Sequence, residues 1–241
     1  MFPTNTFSFH IDLLGIFRLG SSNEEKICNF KDIIYNEFIN RKATVLIPTY
    51  SYSYTSREPY NIKESSSKVG FVTESIRKSF LLSRTADPIF SYCVFGDGIS
   101  KSNFLVKDHD CFGSDSLMSE MYQKNAMICS IGAPWHRVFT EVHFVEKMLE
   151  MKYRKDKKFY GKTIDHDGAS HETCVTFYCR DYNYSLSSEH GRLAKDLIDD
   201  GIMKTFNVGN TFQFTGVLFN ELYEYISHKV KKDYFYLCKE S

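Results

Sequence analysis

The chain has 241 residues, 42% of them hydrophobic and 25% charged, and its 30 basic and 30 acidic side chains cancel to a formal net charge of zero. This is a globular composition, not a disordered one, and its balanced charge argues against a general nucleic-acid binder. No apolar run approaches the roughly 18 residues of a membrane span, and Met1–His10 holds no basic segment of the kind that opens a signal peptide.

A cytoplasmic protein is therefore expected, with no nucleic-acid or membrane partner. The seven cysteines are odd in number and lack CxxC spacing, and several lie inside apolar runs. Reduced core thiols fit that pattern better than a disulfide framework.

In chain order, Thr6–Leu14 reads as a first strand with His10 and Asp12 at its carboxyl end. Asn23 is a candidate cap for a helix through Asn40, because Ile27, Phe30, Ile33, Ile34 and Phe38 recur at helical spacing. Ala43–Pro48 is a short apolar run, the mark of a buried strand. Strand, helix and buried strand begin an α/β layout with a partly parallel sheet. Thr49 to about Gly70 reads as a long polar loop leaving a strand end, a common place for a ligand site. Thr73 caps a short helix, and Arg84–Pro88 breaks it. Ile89–Phe95 is strand-like. Ser114 or Asp115 introduces a helix to about Lys124, followed by a strand at Ala126–Gly132 and a helix at Phe139–Glu150. Lys152, Arg154, Lys155, Lys157, Lys158 and Lys162 then face a lone Asp156. Such a cluster suits phosphate or a charged, solvated edge strand. Glu172–Arg180 reads as a strand, Ser187 or Ser188 starts a helix to Asp200, Ile202–Thr215 holds strand-like pieces, and Gly216–Val230 is a final amphipathic helix. The expected fold is α/β: a single domain spanning 1–241, with a central mixed, partly parallel sheet and helices on both faces. The region after about residue 165 could form an appended subregion.

Chemistry concentrates at His143 and Glu146, which share a helix face at a spacing of three residues. An imidazole with a carboxylate to orient it is the minimum for proton transfer. Alone, such a pair is more often an ordinary solvated one. Asp165–Glu172 and Asp108–Asp110 hold ligand-type side chains, but in loop-like settings without the spacing of structural zinc sites, and no metal is expected. Cys129 is more readily a core thiol than a nucleophile. No GxGxxG, P-loop or GxSxG sequence is present.

Several short pieces together resemble the aminoglycoside 3-N-acetyltransferase (antibiotic N-acetyltransferase) family over residues 7 to 161. They are His10-Ile-Asp-Leu13, Thr44-Val-Leu-Ile-Pro-Thr-Tyr50, Glu74-Ser-Ile-Arg77, Arg84-Thr-Ala-Asp-Pro-Ile-Phe-Ser91, Phe112-Gly-Ser-Asp-Ser116 and Thr140-x-x-His143-x-x-Glu146, followed by Tyr153-Arg154. Ile11 and Asp12 stand where the family has two serines, and Asp87 replaces its histidine before Pro88. The resemblance implies acyl transfer from an acyl-coenzyme A cosubstrate to a primary amine. On this resemblance His143 is the expected general base and Glu146 its orienting partner. His10, Asp12, Thr49, Arg84, Thr85 and Ser91 are expected at the coenzyme, and Tyr50, Glu74, Arg77 and Arg154 at the acceptor. The neutral chain and the basic segment after His143 favour an anionic acceptor, a nucleotide-linked 3-amino-3,6-dideoxyhexose, over a polycationic aminoglycoside. The aminoglycoside reading and a non-catalytic relative of the same fold are the alternatives, and a homodimer is compatible with the sequence.

Overall fold

A computed structural model describes residues 2–79, 84–209 and 212–240. The chain enters through β1 (Thr6–Ile11), a 3-10 turn at Leu13–Leu19, α1 (Asn23–Ile33) and β2 (Thr44–Pro48). Then come β3 (Tyr60–Asn61), α2 (Phe71–Ser79), β4 (Tyr92–Phe95), β5 (His109–Asp110), α3 (Leu117–Gln123), β6 (Met127–Ile131) and α4 (Val142–Met148). The last part comprises β7 (Arg154–Ile164), β8 (Ser170–Arg180), β9 (Leu186–Ser188), α5 (His190–Asp199), β10 (Lys204–Val208), β11 (Phe212–Leu218), α6 (Phe219–Lys232) and β12 (Cys238–Glu240).

The main sheet has the order β10-β11-β6-β1-β2-β4. Its centre is parallel, β1 pairing with both β2 and β6, and both flanks are antiparallel. The expected mixed sheet is therefore present. Strand alternation sorts its side chains. Phe7, Phe9, Val45, Ile47, Met127 and Cys129 face one core, shared with α1 and α2. Leu46, Val94, Ile128 and Val217 face a second core, shared with α3, α4, α5 and α6. The phenylalanine-rich composition has a structural use here: Phe38 lies 5.1 Å from the ring centroids of both Phe7 and Phe9.

A smaller sheet, β3-β7-β8-β5, is built on the long β7–β8 hairpin, and β9 pairs with β12. After residue 165, β11 pairs with β6 and α6 packs into the second core. Several element ends differ from expectation. Side-chain caps come from Ser22, Ser116 and Glu189, not from Asn23, Ser114 or Ser188. Thr73 lies inside α2, where its hydroxyl bonds to the Gly70 carbonyl. Strand β11 runs on to Leu218 because its backbone pairs with β6, a tertiary contact that local periodicity does not record. The Thr49–Gly70 segment is pinned, with Ser51, Ser53, Tyr54 and Tyr60 buried.

The carboxyl ends of β1 and β6 are held against each other by two glycines. A Cβ on Gly132 would sit 2.2 Å from the Gly15 backbone nitrogen, and Gly132 has φ +71. Gly168, at the tip of the β7–β8 hairpin, has φ +87 but open space around it. Gly168→Ala should therefore carry only the backbone strain, about 1 kcal/mol, whereas Gly132→Ala adds a clash with main chain that cannot move aside. The thermal midpoint should fall by about 2–4 °C in the first and clearly further in the second. Equal shifts would show that the glycine contact does not matter.

Candidate functional site

The two faces of β1 separate core from chemistry. Phe7, Phe9 and Ile11 enter the α1 core, so Ser8 and His10 point to the opposite side, toward the start of α4. There the Ser8 hydroxyl donates to Glu141 Oε1 at 2.9 Å, and His10 Nε2 lies 3.0 Å from the same oxygen. Tyr92 adds a longer hydroxyl bond at 3.4 Å, and its own hydroxyl meets that of Tyr50. Glu141 is fully buried, and its Oε2 has no hydrogen-bond partner. Burial works to raise its pKa, but the adjacent His10 and the hydrogen bonds leave it below the ordinary carboxylate value.

A cleft of about 510 Å³ opens at the carboxyl ends of β1, β2 and β6. Its walls include His10, Asp12, Tyr50, Lys68, Arg137 and Thr140. Open α/β sheets take ligands at this end of the strands. Asp12 also caps the following 3-10 turn through the Leu14 amide.

The second centre lies within the same short helix. His143 Nδ1 is 2.7 Å from Glu146 Oε2, and the same oxygen is 2.6 Å from Arg154 Nε. Desolvation acts to raise the Glu146 pKa, yet the Arg154 guanidinium and the His143 contact hold it down at about 2. Burial lowers the His143 pKa, Arg154 lowers it further, and Glu146 opposes both. The net shift leaves a neutral imidazole at pH 7. With Nδ1 engaged by the carboxylate, Nε2 is the free position, and no described residue bonds to it. The ring sits between Phe112 and His190, at centroid distances of 6.1 and 5.7 Å. Burial, then the neighbouring His143, press the His190 pKa down to about 4.

His143 does not line the large cleft. It faces the rings around Phe112, while Thr140, one turn earlier, lines the cleft. Of the twelve residues expected at the site, the structure brings His143 together with Glu146 and places His10, Asp12 and Tyr50 on the cleft. The others have interior duties. Arg84 is fully buried and donates to the carbonyls of Thr49, Ile62 and Ser65 and to the Ser91 hydroxyl. Thr49, Thr85 and Ser91 are buried in the same network, where Thr85 accepts the Tyr92 amide. Glu74 and Arg77 pair with each other, and together they fasten the segment at Lys63 and Ser67. Arg154, expected at the acceptor, instead balances Glu146 and is buried. Expected at ligands, these side chains instead bond to neighbouring backbone and side chains in the walls.

Glu141, Ser8, Lys68, Arg137 and His190 were not singled out by the sequence. Ser8 and His10, two apart on a strand, carried the one usable sign of a shared face. Asp108–Asp110 is not a solvated turn: Asp108 accepts the Cys174 amide, Asp110 accepts the Phe112 amide, and His109 faces Asp87. Cys129 points into the α1 core, where burial pushes its thiol pKa up, which removes it as a nucleophile.

A family model described as aminoglycoside 3-N-acetyltransferase matches residues 35–228. The chain belongs to that family. It is accordingly an acyl-coenzyme A-dependent N-acyltransferase. The family match favours an aminoglycoside-type acceptor over the nucleotide-linked sugar. A comparison with curated protein sequences finds no match. Among solved structures, the YokD protein from Bacillus subtilis is similar at 14% identity and a TM-score of 0.68, over 95% of this chain and 87% of that one. Sisomicin-bound AAC-VIa aligns at 15% identity and a TM-score of 0.70, over 93% and 92%. AAC-IIIb in a binary complex with CoASH aligns at 12% and 0.70, over 95% and 90%. At these identities the likeness establishes the fold.

Glu146, depressed below its ordinary 4.5 to about 2, adds stability that is present above pH 4.5 and lost as pH falls toward 2. Arg154→Met should remove this source of acid sensitivity. It should also cost about 3–5 kcal/mol at neutral pH, because it leaves a buried charge uncompensated. Urea unfolding of both proteins across that pH range measures both effects; an unchanged free energy at pH 7 would rule out the pairing as a support.

Proposed function

We propose that this protein acetylates a primary amine of an aminoglycoside-type amino sugar, with acetyl-coenzyme A as donor and His143 as general base. The observation that carries this reading is the His143–Glu146 contact: an imidazole oriented through Nδ1, with Nε2 unengaged among the described residues, and burial, then Arg154, lowering its pKa. The amine nitrogen attacks the thioester carbonyl as its proton passes to His143 Nε2, and the C–S bond then breaks to release the coenzyme A thiolate, which takes up that proton and returns the imidazole to its neutral form. Glu146, charged and held by Arg154, stabilises the imidazolium that forms.

The cleft suits the coenzyme. Lys68 and Arg137 on its walls offer positive charge to phosphates, and the related AAC-IIIb is described with CoASH. For the acceptor, the related AAC-VIa is described with sisomicin. The basic segment that favoured an anionic sugar is partly neutralised from within. Lys155 pairs with Asp181, Lys162 lies 3.8 Å from Glu172, and Arg154 serves Glu146. Lys157 rests over Phe159.

A second reading has its own observation. His10, backed by the buried Glu141, lines the cleft directly, whereas His143 does not. Paired variants separate the two. His143→Asn should lower turnover by about 10²–10⁴-fold while coenzyme A binding survives, and His10→Asn should act mainly on KM for the donor. The reverse pattern would transfer the role of base to His10. Thiol release with kanamycin-type amines and dTDP-linked amino sugars, tested side by side, assigns the acceptor. Turnover on the nucleotide sugars alone would overturn the acceptor proposed here, and thiol release with neither would favour a non-catalytic relative.

The lowered His143 pKa also fixes the sign of a pH effect. The acid limb of kcat should lie below pH 6.5, and Glu146→Gln, by removing the charge that raises it, should move the limb lower still. A limb at or above 6.5 in the native enzyme contradicts the assignment.

A further inference from the structure

Away from both histidine centres, three ligand-type side chains from two segments of the chain converge. Asp87 Oδ2, His109 Nε2 and Cys111 Sγ all lie within 4.8 Å of one another. We propose that they form a zinc site, with one carboxylate oxygen, one imidazole nitrogen and one thiolate as ligands and a water in the fourth position.

Each ligand is oriented by a bond behind it. Asp87 uses Oδ1 to accept the Ile89 and Phe90 amides, both at 2.8 Å, which leaves Oδ2 facing His109. His109 Nδ1 donates to the Lys107 carbonyl at 3.1 Å, which turns Nε2 toward Asp87. The Cys111 amide donates to the Thr176 carbonyl, fixing the start of the turn. His109 Nε2 and Asp87 Oδ2 face each other at 3.1 Å as an ion pair, and a metal ion bound here would replace any proton carried on Nε2.

Dimensions and chemistry agree. A tetrahedral zinc ion with these donors holds its ligand atoms roughly 3.3–3.7 Å apart, so the three need close by only about an ångström. A cavity of about 30 Å³, lined by Asp87, His109, Asp115 and Ser116, adjoins the cluster. That is room for one water. The mix of carboxylate, imidazole and thiolate excludes calcium and magnesium and suits zinc. On binding, the Cys111 thiol proton leaves to solvent as the Sγ–metal bond forms.

The site joins two segments that flank His143. Asp87 precedes Phe90, and Cys111 precedes Phe112, whose ring stands 5.2 Å from Phe90 and 6.1 Å from His143. Bound zinc would fix that wall without touching the reaction.

The test uses the full chain and needs no activity measurement. After chelation, the protein is titrated with Zn²⁺ and with Co²⁺, followed by native mass spectrometry and by thiolate-to-cobalt absorption. One equivalent of metal, a cobalt–thiolate band and a higher thermal midpoint are expected. Cys111→Ser, with folding checked by circular dichroism, should lose the band and about 100-fold or more in affinity, and Cys174→Ser should lose neither. His109→Asn offers the same readout should Cys111→Ser fail to fold. The proposal fails if native protein gives no cobalt–thiolate band, or if the band and affinity survive in Cys111→Ser or His109→Asn.

Discussion

Two buried carboxylates, one at the N-cap of a seven-residue helix and one within it, set the conditions for everything around them. A buried carboxylate is tolerated only where hydrogen bonds or a counter-charge with good geometry answer it. Glu141 is answered by contacts from Ser8 and His10 on β1. Glu146 is answered by the Arg154 guanidinium at the root of β7 and by its contact with His143. The central strand, helix α4 and the hairpin are thus bound together by electrostatic necessity as well as by apolar packing. Loss of Glu146 alone would strand the buried Arg154 guanidinium.

One short stretch of chain reaches both regions: Thr140 lines the cleft at the strand ends, and His143 faces the ring of Phe112. The imidazole stays neutral because burial and Arg154 outweigh the attraction of Glu146.

The frame of the fold was legible because strand and helix periods act locally. The parallel strands at Thr6, Thr44 and Met127 all read as apolar runs, and the His143–Glu146 spacing survived as a real contact. What stayed hidden depended on the third dimension. Arg84, Glu74 and Arg77 stood out as motif residues, but a motif marks a position as needed without saying whether ligand or backbone needs it. Their burial assigns them to the backbone. The run of lysines after His143 looked like a phosphate surface because their carboxylate partners, Asp181 and Glu172, lie on the opposite strand. Glu141 was overlooked for a similar reason: its partner is more than a hundred residues away.

Arg154 occupies the first position of β7, paired across the hairpin with Arg180, while the turn at the other end begins after Ile164. Eleven strand residues span about 35 Å, so root and tip are far apart relative to the reach of any side chain. The root is fixed by its duty to Glu146, and the outer half by contacts of its own: Thr163 and Ile164 pair with β3, and His166 lies against the Arg84 carbonyl. A change in the length of this hairpin would therefore be felt first at the wall that Arg84 supports, while the root would stay set by the Glu146–Arg154 pair.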